Sequence, residues 1–299
     1  MKRLKMSNKD LRLKDFIGKN VTKPKVHLIG FPSDEGVKIN GGRPGACKAP
    51  RLIFEELIKL TPHPVHFDRH IKLLERTEGL TLLECSDDLP ADQENLGKST
   101  ASSISDQVLP VILGGGHETA FGHFLGYVNS DLPVNIVNID AHTDVRDFKN
   151  GKAHSGSPFR QAVEHQSGLC KSYNVYGLNP SSVSVDHLAY VRNQGDAVFD
   201  QSFSGDAVLN RINLFDERSI LITMDMDAVK QADAPGVSAP NALGIKKEDW
   251  LQLAYGFGKH PKVTSFDLSE VNPEFDRDNQ TVKLAALTVW YFLLGVALR

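Results

Sequence analysis

Val134-Asn135-Ile136-Val137-Asn138-Ile139 runs directly into Asp140-Ala141-His142-Thr143-Asp144. The first part is a short, β-branched, uncharged run of the kind that forms a strand buried on both faces of a parallel sheet. The second part holds three side chains that bind cations or protons. Burying that much polarity at a strand end is costly unless something compensates it. If the backbone stays extended, the alternate residues Asp140, His142 and Asp144 share a direction; a tight turn could also converge them on one point.

Runs of the same character flank this segment. Strands are expected at 26–31, 80–84, 108–113, 134–139, 173–176, 219–224 and 263–268, with helices at 49–60, 117–127, 159–165, 185–192, 246–257 and 281–298. That alternation predicts a parallel sheet covered by helices on both faces. The 299 residues are compatible with one large α/β domain, since such domains run past ~250 residues. We expect it to occupy 26–299, after a polar, lysine-rich segment at 1–25 that lacks the apolar stretch of a secretory signal.

With 34 basic and 37 acidic residues, the net charge of -3 lacks the basic excess of a nucleic-acid-binding protein. Cys47, Cys85 and Cys170 are odd in number and widely spaced, which suggests neither a disulfide framework nor a thiolate zinc site. Reduced thiols and a cytoplasmic location are expected. The most apolar stretch, near 284–298, is read as a buried C-terminal helix with no membrane role.

Other polar clusters fall at strand ends too. Gly114-Gly115-Gly116-His117-Glu118 follows Val111-Ile112-Leu113, Asp225-Met226-Asp227 follows Ile220-Leu221-Ile222-Thr223, and Glu270 follows the strand at 263–268. In open α/β sheets ligands bind beyond the carboxyl ends of strands. His117, Asp140, His142, Asp144, Asp225 and Asp227 make an oxygen-rich set with two imidazoles and no sulfur, which suits manganese or a similar divalent ion. Six ligands exceed what one catalytic ion with an open position can use. Two ions sharing Asp140 and Asp225 would use them all and offset four clustered anions.

Four blocks in this order resemble the ureohydrolases, the arginases, agmatinases and formimidoylglutamases: Gly115-Gly116-His117-Glu118, Asn138-Ile139-Asp140-Ala141-His142-Thr143-Asp144, Thr223-Met224-Asp225-Met226-Asp227 and Asp267-Leu268-Ser269-Glu270-Val271-Asn272-Pro273. The similarity extends from about Gly30 to the C-terminus, including the turn Gly41-Gly42-Arg43-Pro44-Gly45-Ala46. The resemblance implies a three-layer α/β/α sandwich with a mainly parallel eight-stranded sheet, two Mn2+ per subunit, and a trimer or hexamer. It also implies roles: His117 and Asp144 on one ion, His142 and Asp227 on the other, and Asp140 and Asp225 as bridges. Within the family, Ser155-Gly156-Ser157-Pro158-Phe159-Arg160-Gln161, Ala234-Pro235-Gly236-Val237-Ser238-Ala239-Pro240 and the segment from Asn272 to Asp278 look most like formimidoylglutamase. One departure is that agmatinases carry His-Gly-Thr where this chain has Ser155-Gly156-Ser157, which leaves His154 as the nearest imidazole for acid/base work.

The expected substrate is N-formimidoyl-L-glutamate, cleaved to L-glutamate and formamide in histidine degradation. Glu270 would hold the cationic C–N group and Asp227 would relay a proton. A substrate with two carboxylates needs cations, for which Arg160 is the first candidate, with Arg146 and Arg277 behind it. Two alternatives stand beside this reading: a guanidino-group hydrolase releasing urea, and a metal-stabilised binding or regulatory homologue without turnover.

Overall fold

The computed structural model describes residues 10–200, 203–216 and 219–299. Eight strands form one sheet: β1 (Val26–Phe31), β2 (Thr77–Leu82), β3 (Leu109–Gly114), β4 (Val134–Ile139), β5 (Cys170–Leu178), β6 (Ala197–Phe199), β7 (Ser219–Asp225) and β8 (Val263–Ser269). Their order is β2-β1-β3-β8-β7-β4-β5-β6, and every pairing between them is parallel.

The helices are α1 (Glu35–Asn40), α2 (Ala49–Leu57), α3 (Phe67–Leu74), α4 (Leu89–Ser105), α5 (Thr119–Asn129), α6 (Pro158–Val163), α7 (Val185–Arg192), α8 (Gly205–Asn213), α9 (Lys247–Lys259) and α10 (Gln280–Ala297). Because successive strand residues face opposite ways, each buried strand feeds two cores. On one side Leu28, Val137, Ile139, Ile220 and Ile222 join the apolar faces of α2, α3, α8, α9 and α10. On the other, Val134, Ile136, Val175 and Leu221 meet α5, α6 and α7, while Ile29, Phe31 and Ile112 meet Leu96 of α4. The result is the three-layer α/β/α arrangement.

Several elements were not foreseen or sit elsewhere. β2 begins at Thr77 and ends at Leu82, shifted from the expected 80–84. β6 has three residues, too few to display a strand pattern. α4 carries Ser99, Thr100, Ser102, Ser103 and Ser105, residues that compete with helix by bonding local backbone. Tertiary packing overrides that preference: Gly97 and Gly126 leave α4 and α5 room to touch, with Leu125 and Thr100 filling the space a Cβ would take. α10 is eighteen residues long, longer than the apolar stretch that announces it, and reaches the length and apolarity of a membrane span. In this fold it is largely buried, and its Thr288 accepts the buried Trp250 indole N–H at 2.8 Å. Residues 10–25 are more than a polar leader. Leu13 and Ile17 are buried in the larger core, and the Leu13 amide donates to the Leu60 carbonyl at 2.8 Å, so the domain starts before residue 26. Residues 1–9 of that expected segment lie outside the described residues.

The chain passes from β3 to β4 across β8 and β7. The neighbours β1 and β3 send the chain to opposite sides, to β2 and β4, and so do β7 and β4, to β8 and β5; such switch points leave a crevice at the carboxyl ends of the strands.

Candidate metal centre and adjoining cavity

The four central neighbours β3, β8, β7 and β4 carry the motif residues at their carboxyl ends. After β3 the backbone passes so close to another loop that a Cβ at Gly115 would stand 1.9 Å from the Ser33 carbonyl oxygen. That approach lets the Gly116 amide donate to Ser33 at 2.9 Å and the Gly115 carbonyl accept the Glu270 amide at 2.8 Å. His117 therefore emerges beside the loop that follows β8. After β4 the chain makes a tight turn: Asp140 Oδ1 accepts the His142 amide at 2.7 Å, and Asp144 adopts φ +45°. A non-glycine residue in this left-handed region is strained. Here the turn brings Asp144 Oδ2 to 3.1 Å from His117 Nδ1. After β7, Asp225 Oδ1 accepts the Asp227 amide at 2.8 Å.

These turns converge the six side chains. His117 Nδ1 lies 3.2 Å from Asp140 Oδ2, 3.1 Å from Asp144 Oδ2 and 3.0 Å from Asp225 Oδ2. His142 Nδ1 lies 3.1 Å from Asp227 Oδ2 and 3.5 Å from Asp140 Oδ1. One set of potential ligand atoms comes from His117, Asp140, Asp144 and Asp225 and a second from Asp140, His142 and Asp227, each set lying within 4.8 Å. Asp140 belongs to both and can bridge two ions. Asp225 falls in the first set; its Oδ1 accepts the Asp227 amide as Asp140 Oδ1 accepts that of His142.

The electrostatics of the bare cluster favour a cation. Burial, with Asp227 and Asp140 close by, pushes the Asp225 carboxyl well above the usual range, and burial also raises Asp227. Burial opposes protonation of His117, but Asp225, Asp140 and Asp144 hold its ring well above the ordinary value. Asp227 does the same for His142. Asp227 Oδ1 is buried without a hydrogen-bond partner. Unpaired anionic oxygen at that depth is costly, and a donor set of carboxylates and two imidazoles fits hard to borderline divalent ions.

A cavity of about 210 Å³ opens onto the cluster and is lined by His142, Asp144, Asp225, Asp227, Glu270 and Arg146, with Asn40 and Ser155 among its other walls. Glu270 sits at φ +65°. Its Oε1 accepts the His117 amide at 2.8 Å, while Oε2 is buried and unpartnered. Burial lifts its pKa to about 7. Arg146 reaches toward Asn40, with 3.4 Å between its guanidinium and Asn40 Oδ1, and Asn40 Nδ2 donates to Ser155 Oγ at 3.2 Å.

Three expected residues do not line the cavity. His154 is 2% exposed and does not line the cavity. Its Nε2 lies 3.0 Å from the Asp147 carbonyl, and its Nδ1 accepts the Gly156 amide at 3.1 Å, so the ring braces its own loop. The Arg160 fork is spent on the Val145 carbonyl at 2.9 Å, on Glu164 at 3.0 Å and on Asp147 at 3.3 Å, and it lies over the Tyr190 ring. Arg277 does not line the cavity either. Arg146 replaces Arg160 as the arginine beside the metal cluster.

Some contributors were missed. Asn40 gives a wall of the cavity, and Arg43 bonds the carbonyls of Val237 and Ser238 while lying over Phe275, which fixes the loop bearing Ser238 and Ala239. The unusual Gly41-Gly42-Arg43-Pro44-Gly45 turn was the available signal, but its partner lies 195 positions away.

Comparison with known proteins agrees with this geometry. The model of the Arginase family matches residues 24–295. A formimidoylglutamase of Geobacillus thermodenitrificans is 35% identical over 269 residues, covering 87% of this chain and 80% of its own length. One from Clostridium tetani is 34% identical over 288 residues, covering 90% and 82% respectively. Among solved structures, Trypanosoma cruzi formiminoglutamase with Mn2+ superposes with a TM-score of 0.88 at 27% identity, over 97% of this chain and 100% of that one.

Proposed function

Because this chain belongs to the arginase family, we propose that it is a dimanganese hydrolase cleaving N-formimidoyl-L-glutamate to L-glutamate and formamide. The observation that carries this reading is the meeting of two ligand sets at Asp140 behind a cavity walled by their other members His142, Asp144, Asp225 and Asp227 and by Glu270, whose Oε2 has no partner. Its support from outside is the formimidoylglutamase relatives and the manganese-containing neighbour.

His117, Asp140 and Asp144, with Asp225, would hold one ion, and Asp140, His142 and Asp227 the other. When bound, two divalent cations acidify water near neutral pH and offset the four carboxylates. The chain's own groups do the rest. The anionic Oε2 of Glu270 receives hydrogen bonds from the planar formimidoyl group and holds its carbon in place. Arg146 offers a planar fork to a substrate carboxylate and offsets the charge of the acidic wall. Water's oxygen bonds to the carbon, the bond to the glutamate nitrogen breaks, and that nitrogen must leave with a proton. Asp227, which lines the cavity and whose Oδ1 has no partner, would carry it. A cytosolic homo-oligomer, trimeric or hexameric, completes the reading; the three free cysteines support the compartment.

The test is to load purified protein with manganese, offer formimidoylglutamate, agmatine and arginine, and assay formamide and urea. Formamide from the first at the highest kcat/KM is expected. Urea from either of the others as the main product would move the assignment to a guanidino hydrolase, and no product from any would leave a binding protein.

A further inference from the structure

Behind the cluster runs a buried polar chain that the chemistry above does not use. His117 Nε2 lies 3.0 Å from Thr223 Oγ1, Thr223 Oγ1 donates to Asp267 Oδ1 at 2.7 Å, and Asp267 Oδ2 lies 2.6 Å from His123 Nδ1. His117 is 1% exposed and the other three 0%. The chain is built into the fold: Thr223 on β7 and Asp267 on β8 are register partners, and His123 comes from α5.

The hydrogens on this chain can be assigned from valence alone. A threonine hydroxyl has one proton, and here it goes to the Asp267 carboxylate, so Thr223 Oγ1 can only accept from His117. His117 Nε2 therefore carries a hydrogen. In the neutral ring, Nδ1 is then the bare nitrogen, and it is Nδ1 that faces Asp140, Asp144 and Asp225. A ligating histidine is commonly fixed by what its other nitrogen bonds. His142, whose side chain is 20% exposed, stands nearer solvent.

We propose that Thr223, Asp267 and His123 are positioning residues that lock His117 in the Nε2–H tautomer and so set the affinity of the ion at the His117 position, leaving the His142 position unaffected. The proposal rests on the dinuclear reading of the site. It makes an ordering that simple structural support would not produce. Thr223→Val removes the link and frees the ring to choose its tautomer. Asp267→Leu does more: it takes away the acceptor of the Thr223 hydroxyl, which is then free to donate to His117 Nε2 and drive the hydrogen onto Nδ1. Thr223→Ser keeps the whole chain.

The experiment is manganese binding to metal-free protein by equilibrium dialysis, with electron paramagnetic resonance to separate a coupled pair from an isolated ion and melting of the metal-free form as the check on folding. One of the two affinities should weaken about 10- to 100-fold in Thr223→Val, at least as much in Asp267→Leu, and stay at the wild-type value in Thr223→Ser, with the metal-free form still melting cooperatively, at a lower temperature where a buried group has lost its partner. The pair signal should give way to that of one ion at limiting manganese. Two ions held at wild-type affinity in both Thr223→Val and Asp267→Leu would overturn the proposal, as would equal weakening at both positions. Should wild type bind a single ion, the dinuclear reading fails on its own, and the relay is still judged by whether that ion weakens in the same order of variants.

Discussion

The His117 backbone amide donates to Glu270 Oε1 at 2.8 Å, across 153 residues of sequence. The first metal-ligand motif and the last catalytic motif are thereby one unit, and the bond leaves Glu270 Oε2 as the free oxygen beside the cavity. The Glu270 amide returns the contact by donating to the Gly115 carbonyl at 2.8 Å.

Glu270→Gln should separate anchoring from folding. Glutamine can still accept the His117 amide, so metal content and melting temperature should hold, but it presents no second anionic oxygen to a cationic substrate. We expect kcat/KM to fall by two orders of magnitude or more. A loss smaller than about tenfold, ~1.4 kcal/mol, would remove Glu270 from the role of substrate anchor.

The metal sets make different demands on their members. Asp140 offers an oxygen to both sets and Asp225 to one, so Asp140→Asn should cost affinity for both ions and Asp225→Asn mainly for the ion at His117. Metal analysis after manganese dialysis should approach two equivalents in wild type. Full activity with one equivalent, or with both substitutions tolerated, is incompatible with a dinuclear centre.

The ligands were legible in the sequence because the strands run into their acids and imidazoles at once or within three residues: Ile139 into Asp140, Thr223-Met224 into Asp225, and Gly114 through two glycines into His117. The layer order followed from the same alternation. What sequence did not carry was the direction of side chains in the loop at 145–157. His154 stands beside Ser155 in the chain, and only the fold shows both its nitrogens used within that loop. Arg160 did leave a signal: Glu164 lies four residues on, a helical spacing that invites the pair observed at 3.0 Å. Asn40 and Arg43 depend on contacts across 106 to 195 residues, which local pattern cannot supply.

Stability should depend on pH through His70, far along the chain from the metal motifs. Its ring is buried against Trp290, its Nδ1 accepts the His63 amide at 3.1 Å, and burial, aided by His63, lowers its pKa to about 4. The unfolded chain takes up this proton from about pH 6.5 downward and the folded chain only near 4. The stability His70 contributes as a neutral group is therefore present above pH 6.5 and lost as pH falls toward 4, about 2 kcal/mol between pH 7 and pH 5. His70→Asn keeps an acceptor near Nδ1 without the titration. In urea unfolding of metal-free protein, the difference in stability between the two pH values should shrink by about that amount. An unchanged difference would mean that the ring protonates in the folded state.

Substrate choice turns on which arginine meets the carboxylates. Arg146 lines the cavity with its guanidinium 3.4 Å from Asn40, whereas Arg160 is tied to Glu164, Asp147 and the Val145 carbonyl. A dianionic substrate entering beside Asp144, Asp225, Asp227 and Glu270 meets like charge unless a cation offsets it, and a planar fork does so with directional bonds. Agmatine, which lacks a carboxylate, has no use for that fork. Arg146→Met keeps much of the stem and removes the charge, so KM for formimidoylglutamate should rise at least tenfold with metal content unchanged, while kcat/KM for agmatine should change little. Arg160→Met should leave both substrates near wild type and cost stability instead, through the loop and helix it joins. The measurement is kcat/KM for both substrates in all three proteins. Equal weakening of both substrates by Arg146→Met would make the arginine a structural brace, and a selective loss in Arg160→Met would return the carboxylate to the residue whose fork is already engaged.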